Sequence, residues 1–120
     1  MNFKESKPIY LQIADRICDE ILQGQYKAGE RIPSVREYAA TVEVNANTVV
    51  RSFDYLQGQD IIYNKRGLGY FVAQGGRERI LELRKEVFLR DELPEFFRQL
   101  EMLDIPLSDV EKMYQDYLQK

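Results

Sequence analysis

The stretch VEVNANTVVRSFDYL, residues 42–56, sets Asn45, Asn47 and Thr48 in what reads as the first turn of a helix, with Arg51 about one turn later. Asparagine is a middling helix former in a helix interior and a strong cap at its start. Helix formation alone therefore does not explain so many short polar side chains in one place. The chemistry open to them is recognition by hydrogen bonding. An asparagine amide pairs bidentately with adenine, an arginine guanidinium pairs bidentately with guanine, and a threonine hydroxyl reaches phosphate oxygens. Asn47 and Arg51 stand four residues apart and share one helix face, while Asn45 is placed to cap.

Such a helix needs a scaffold behind it, and the flanking residues supply one. Val49, Phe53 and Leu56 give it an inward stripe that Ser52 borders, leaving Asn47, Val50, Arg51 and Asp54 outside. Upstream, a first helix is predicted from Pro8 to about Gln23. Ile9, Ile13, Ile17 and Ile21 recur every four residues, and Tyr10, Ala14 and Cys18 widen the stripe. After the connection YKAGERIP, SVRE has the capping-box spacing, with Ser34 as cap and Glu37 three residues on. A short second helix follows, ending near Val42, with Val35, Tyr38 and Ala39 inward. Downstream the period changes. Ile61–Tyr63 and Tyr70–Val72 are β-rich runs separated by NKRGLG, a hairpin signal. QGG, residues 74–76, reads as a linker. Beyond it a strongly amphipathic helical stretch, interrupted or kinked at Pro94, precedes a last helix opened by the capping-box pair Ser108 and Glu111.

Composition narrows the function classes. The chain of 120 residues is one ordinary domain or a small domain with an appendage. It has no histidine, which removes the usual general base and the commonest transition-metal ligand. The acidic residues show no metal-ligand spacing and no phosphate-binding glycine loop is present, so no catalytic site, metal or cofactor is expected. The single cysteine, Cys18, lies in an apolar-periodic helix and reads as a small buried residue. No apolar run approaches the roughly 20 residues that span a bilayer, and MNFKESKPIY lacks the apolar region of a secretory signal. These features predict a cytoplasmic protein with no membrane partner. The net charge of −3 resides in residues 77–120, with 8 basic and 11 acidic side chains; residues 1–76 carry 9 of each. A neutral domain still binds a duplex when its few cations face the phosphates together.

Three helices, the second and third joined by a tight bend, followed by a β-hairpin, make a winged helix-turn-helix. The fold class expected is mainly α with a small β-hairpin, a winged helix-turn-helix over residues 1–74 and a C-terminal helical dimerisation segment over 75–120. Each signal alone is ambiguous: an asparagine at a helix start is usually a plain cap, Arg36 on a short helix a solvated charge, and Lys65 and Arg66 a soluble turn. Their order within one unit of about 70 residues carries the reading.

The stretch GERIPSVREYAATVEVNANTVVRSFDYLQGQDIIYNKRGLGYFVA, led by PIYLQIADRI, resembles the DNA-binding domain of GntR-type bacterial transcription regulators over residues 8–73. IPSVREYAA, VNANTVVRSFDYL and the wing RGLGYFVA carry the likeness, and VNANTVVR with a short tail is most similar to the YtrA branch. The resemblance implies DNA contacts from Ser34 and Arg36 in the second helix, from Asn45, Asn47, Thr48 and Arg51 in the recognition helix, and from Gly67 with its neighbours Lys65 and Arg66 in the wing. Many members have arginine where this chain has Ala46 and Val50, which implies a different preferred site.

Residues 77–120 are too few to enclose a typical ligand pocket of about 300 Å³. Their apolar side chains must fold back on the protein's own helices or meet a partner. The branch resemblance implies a homodimer, with Ile80, Leu83, Val87, Phe88, Phe96, Phe97 and Leu100 expected at its interface. A two-fold dimer would read a pseudo-palindromic operator on double-stranded DNA, as a repressor occluding a promoter until an unidentified effector signal relieves it. The competing reading is a winged helix used for protein–protein contact, which the neutral domain fits and the polar helix entrance opposes.

Overall fold

The computed structural model describes residues 7–120. Helices α1 (Ile9–Leu22), α2 (Val35–Val42) and α3 (Ala46–Gly58) lead into the antiparallel strands β1 (Ile62–Lys65) and β2 (Gly69–Val72). Helix α4 (Gly76–Val87), a π-helical turn (Phe88–Glu92), α5 (Leu93–Met102) and α6 (Leu107–Leu118) follow. The chain forms two compact units, Met1–Glu82 and Leu83–Lys120.

The first unit is built around α3, which packs on α1, α2 and β1. Val49, Ser52, Phe53 and Leu56 recur at helical spacing and are all buried, as the pattern predicted. The Phe53 ring meets Tyr70 of β2 edge-on at 4.8 Å and Tyr38 of α2 at 6.5 Å, joining helices to hairpin through one side chain. Ser52 ties α3 to α1: its Oγ lies 2.7 Å from the Tyr10 carbonyl oxygen and donates to it, satisfying a hydroxyl with no access to water. In α1 the buried stripe is Ile13, Ala14, Ile17, Cys18 and Ile21, and Ile9 is 52% exposed. The predicted four-residue isoleucine repeat loses Ile9 because a strict spacing of four drifts about 40° per step on a helix of 3.6 residues per turn.

The hairpin pairs Ile62 with Val72, Tyr63 with Phe71, Asn64 with Tyr70 and Lys65 with Gly69. YKAGERIP, predicted as a bare connection, also contributes to the sheet. The Ile32 N–H donates to the Tyr70 carbonyl at 2.9 Å, the Val72 N–H to Glu30 at 2.9 Å, and Arg31 bridges Phe71. Its polar composition hid a strand-like run in which Arg31 is exposed and Ile32 buried.

QGG, read as a linker, runs directly into α4. Gly76 is buried at the first residue of α4, where a Cβ would sit 2.6 Å from the Ile61 carbonyl oxygen. Arg79 Nε donates to the Gln59 carbonyl at 3.3 Å, just past the C-terminus of α3, where a cation is favoured. The contacts divide the chain after Glu82 rather than after residue 74. Ile80, expected at a dimer interface, is 1% exposed and belongs to the first unit's own core. Its place in the amphipathic run does not show which partner covers it.

The second unit contrasts sharply. No residue from Leu83 onward is buried, among them Phe88, Leu89, Phe96, Phe97, Leu103, Leu107, Tyr114 and Tyr117. The predicted break at Pro94 takes a definite form. Proline has no N–H and its ring clashes with the carbonyl four residues back, here Arg90. The preceding turn widens so that the Leu93 N–H donates to Phe88, five residues back, and the helix resumes with Pro94 in its first turn.

Candidate nucleic-acid interface

Two helix entrances and one hairpin tip carry the polar side chains singled out from the sequence. At α2 the capping box forms in full. The Glu37 N–H donates to Ser34 Oγ at 3.1 Å and the Ser34 N–H donates to Glu37 Oε1 at 2.9 Å. The Ser34 N–H bond, then the Ser34 hydroxyl, hold the Glu37 carboxyl below the ordinary carboxylate range, with Arg31 adding a smaller effect. Ser34 Oγ is thus engaged within the capping box, where it accepts the Glu37 N–H. Arg36 is exposed on the first turn of α2.

The bend into α3 spans three residues. Glu43 closes α2 in the left-handed conformation, φ 57°, and its N–H donates to Ala39. Asn45 then caps α3 with an extended backbone, its Oδ1 accepting from the Asn47 N–H at 2.8 Å. This answers one part of the polar crowding: Asn45 is a cap. Asn47 is exposed, whereas Thr48 is half-buried. Arg51 is exposed, and its guanidinium carbon lies 4.2 Å from the centre of the Tyr10 ring. Unlike Arg31, it has no carboxylate within ion-pair distance among the described residues.

At the wing, the Leu68 N–H donates to the Lys65 carbonyl at 2.8 Å, closing a turn whose third residue, Gly67, has φ 81°. Only glycine adopts that conformation without penalty. Lys65, Arg66 and Gly67 are all exposed. Lys65 Nζ lies 5.0 Å from the Phe71 ring, which itself stacks on Tyr63 at 5.8 Å, so the lysine stem runs over an aromatic platform.

Two residues outside the sequence-derived set stand against this surface. Arg31 is exposed, lies 4.0 Å from Glu37 and packs on Gly69, where a Cβ would sit 2.9 Å from its Nε. Tyr10 supplies the ring beneath Arg51. Both pairings join residues about forty apart in sequence, beyond any local pattern; the alternation of Glu30, Arg31 and Ile32 was the one available signal. Among the described residues no group of three or more acidic or cysteine side chains could hold a metal ion, and no helix is long and apolar enough to cross a membrane.

The arrangement is that of known proteins. Residues 9–72 match the family model of bacterial regulatory proteins of the gntR family. Over 108 residues the chain is 36% identical to the HTH-type transcriptional regulator YhcF of Bacillus subtilis, covering 90% of this chain and 88% of that one. Over 79 residues it is 34% identical to the HTH-type transcriptional repressor YtrA of the same organism, covering 66% and 61%. A crystal structure of a GntR-family transcriptional regulator from Bacteroides thetaiotaomicron superposes with a TM-score of 0.83 at 60% identity, covering 93% of this chain and 97% of that one. The DNA-binding domain of AraR in complex with operator ORR3 superposes with a TM-score of 0.53 at 30% identity over 55% of this chain and 80% of its own. The chain belongs to the GntR family of bacterial transcription regulators.

Proposed function

We propose that this GntR regulator is a repressor that binds a pseudo-palindromic operator as a homodimer. The observation that carries the DNA-reading role is the division of α3: Val49, Ser52, Phe53 and Leu56 are fully buried, while Asn47 and Arg51 stand exposed at its N-terminal half. A helix held rigidly by one face and polar at its exposed entrance suits a major groove. Asn47 and Arg51 are assigned to base edges, with the guanidinium taking guanine and the amide adenine. Ser34, Arg36 and Thr48 are assigned to phosphates, Asn45 to shaping the helix entrance, and Lys65, Arg66 and Gly67 to the duplex backbone beside it. The repressor assignment draws on YtrA and on the Bacillus subtilis repressor NagR, 29% identical over 82 residues.

The homodimer rests on the second unit. A segment of 38 residues with no buried side chain has no core of its own, and its phenylalanines and leucines need a second surface. Leu83, Val87, Phe88, Phe96, Phe97 and Leu100 are assigned to that interface, which in a two-fold dimer is self-complementary.

Selection from a random duplex library, followed by anisotropy titration of the winner at two salt concentrations, tests the function. The expected result is a palindromic winner bound far more tightly than random DNA. Failure to enrich any sequence, from protein shown to be dimeric and folded, refutes the operator reading and favours a winged helix that meets a protein.

A further inference from the structure

The geometry points to Tyr10 as a positioning residue that sets the sequence preference of the recognition helix through Arg51. The inference rests on the base-reading role proposed for Arg51. An exposed arginine ordinarily samples many rotamers, and ordering it on binding opposes affinity. Here the guanidinium carbon lies 4.2 Å from the centre of the Tyr10 ring, at face-stacking distance. A guanidinium is planar and weakly hydrated, so it stacks on an aromatic face while its edge donors stay free for a guanine. The absence of an ion-pair partner for Arg51 among the described residues leaves the ring as its defined contact.

A second bond places the ring. Ser52, the residue after Arg51, donates its buried hydroxyl to the carbonyl of Tyr10 at 2.7 Å. The backbone of α1 at Tyr10 is thereby fastened to α3 beside the arginine, which sets where the Cα bearing the ring stands relative to the helix that carries Arg51. One residue of α1 thus receives both the hydroxyl of Ser52 and the guanidinium of Arg51. Tyr10 acts on DNA through the arginine, by holding it over a defined base step before the duplex arrives.

The test is a double-mutant cycle on the full-length chain, using the duplex recovered by selection, with thermal melting to confirm that each variant is folded. Tyr10→Phe keeps the aromatic face and is expected to bind the selected duplex like wild type. Tyr10→Leu is expected to weaken that binding about two- to fivefold, as loss of an exposed cation–π contact implies, with random-sequence binding unchanged and the preference at one base step relaxed. Arg51→Ala is expected to lose more, and Tyr10→Leu added to it to lose nothing further. Additive losses overturn the proposal, because Tyr10 then acts independently of Arg51. Equal losses from Tyr10→Phe and Tyr10→Leu overturn it in favour of a direct contact by the hydroxyl. Tighter binding by Tyr10→Leu overturns it as well, since the ring then restrains the arginine. A wild-type preference in Arg51→Ala refutes the base-reading role itself, an outcome distinct from the other three.

Discussion

Replacing Gly76 with alanine puts one methyl group where the first unit has no room for it. The new Cβ would sit 2.6 Å from the Ile61 carbonyl oxygen and 3.4 Å from Val72 Cγ1. The carbonyl cannot simply retreat, because it already accepts the Ala73 N–H at 2.9 Å. Overpacking of this kind costs about 1–3 kcal/mol. Alanine's better helix propensity, at most about 1 kcal/mol in a helix interior, offsets little at the first residue of α4. The expected net loss is about 1–2 kcal/mol. Two other glycines calibrate the argument with the same substitution. Gly58 ends α3 with open space around it and no positive φ, so Gly58→Ala is expected to stabilise by roughly 0.4–1 kcal/mol through the unfolded chain. Gly75 also faces open space but has φ 79°, so alanine there costs about 1–2 kcal/mol from backbone conformation alone. Urea unfolding followed by far-ultraviolet circular dichroism, at one protein concentration for all four proteins, reads the order directly. Gly58→Ala should unfold last, then wild type, then the other two. A Gly76→Ala protein at or above the wild-type midpoint would show that α4 is not seated against Ile61 as described, and the reasoning would fail.

Arg51→Ala is expected to lose about 1–3 kcal/mol at the selected duplex and to relax preference at one base step. Lys65→Ala should instead weaken all sequences alike and reduce the slope of log affinity against log salt by about 0.9; anisotropy titrations over a salt series separate the two, and equal small effects from both count against a base-reading helix. If the proposed two-fold dimer forms, replacing Phe96 and Phe97 together with serine should weaken it by at least about 3 kcal/mol, a hundredfold or more in Kd, because a two-fold axis would repeat each loss. Analytical ultracentrifugation reads this, and an undiminished dimer places the interface elsewhere. Glu37 contributes a pH-dependent effect whose sign follows from its lowered folded-state pKa. Its stabilisation is full above the ordinary value of 4.5 and is lost as pH falls through the lower folded value. The melting difference between wild type and Glu37→Ala should therefore shrink in acid, and a constant difference from neutral pH to strong acid would exclude the capping box as its source.

Interactions that close within one turn were legible in the residues. The Ser34–Glu37 box and the Asn45 cap join positions two or three apart, so the side-chain types and their spacing nearly specify the bond. The buried face of α3 was legible for the same reason, since Phe53 and its neighbours repeat at the helical period. The wing was marked by two glycines between β-rich runs, which became Gly67 and Gly69 with positive φ.

Glycine is also where local reading misled. QGG reads as a linker, yet Gly76 is buried where a carbonyl passes too close for a Cβ. Sequence shows that a residue lacks a Cβ and not whether freedom or proximity requires it. Ile80 poses the same problem for apolar residues: periodicity marks it as buried without saying by what, and the first unit covers it. The amino-acid sequence by itself determined the helices, the caps at Ser34 and Asn45, the hairpin and the polar entrance of α3, because those depend on neighbours a few bonds away. The capping box expected at Ser108 and Glu111 does not form: α6 starts after Pro106, with no side-chain cap, and Ser108 lies inside it. Only the tertiary structure decided that Tyr10 lies under Arg51, that Arg31 lies on Gly69 and that α4 begins against Ile61. Each of those contacts joins segments far apart along the chain, and packing, which no local pattern encodes, brings them together.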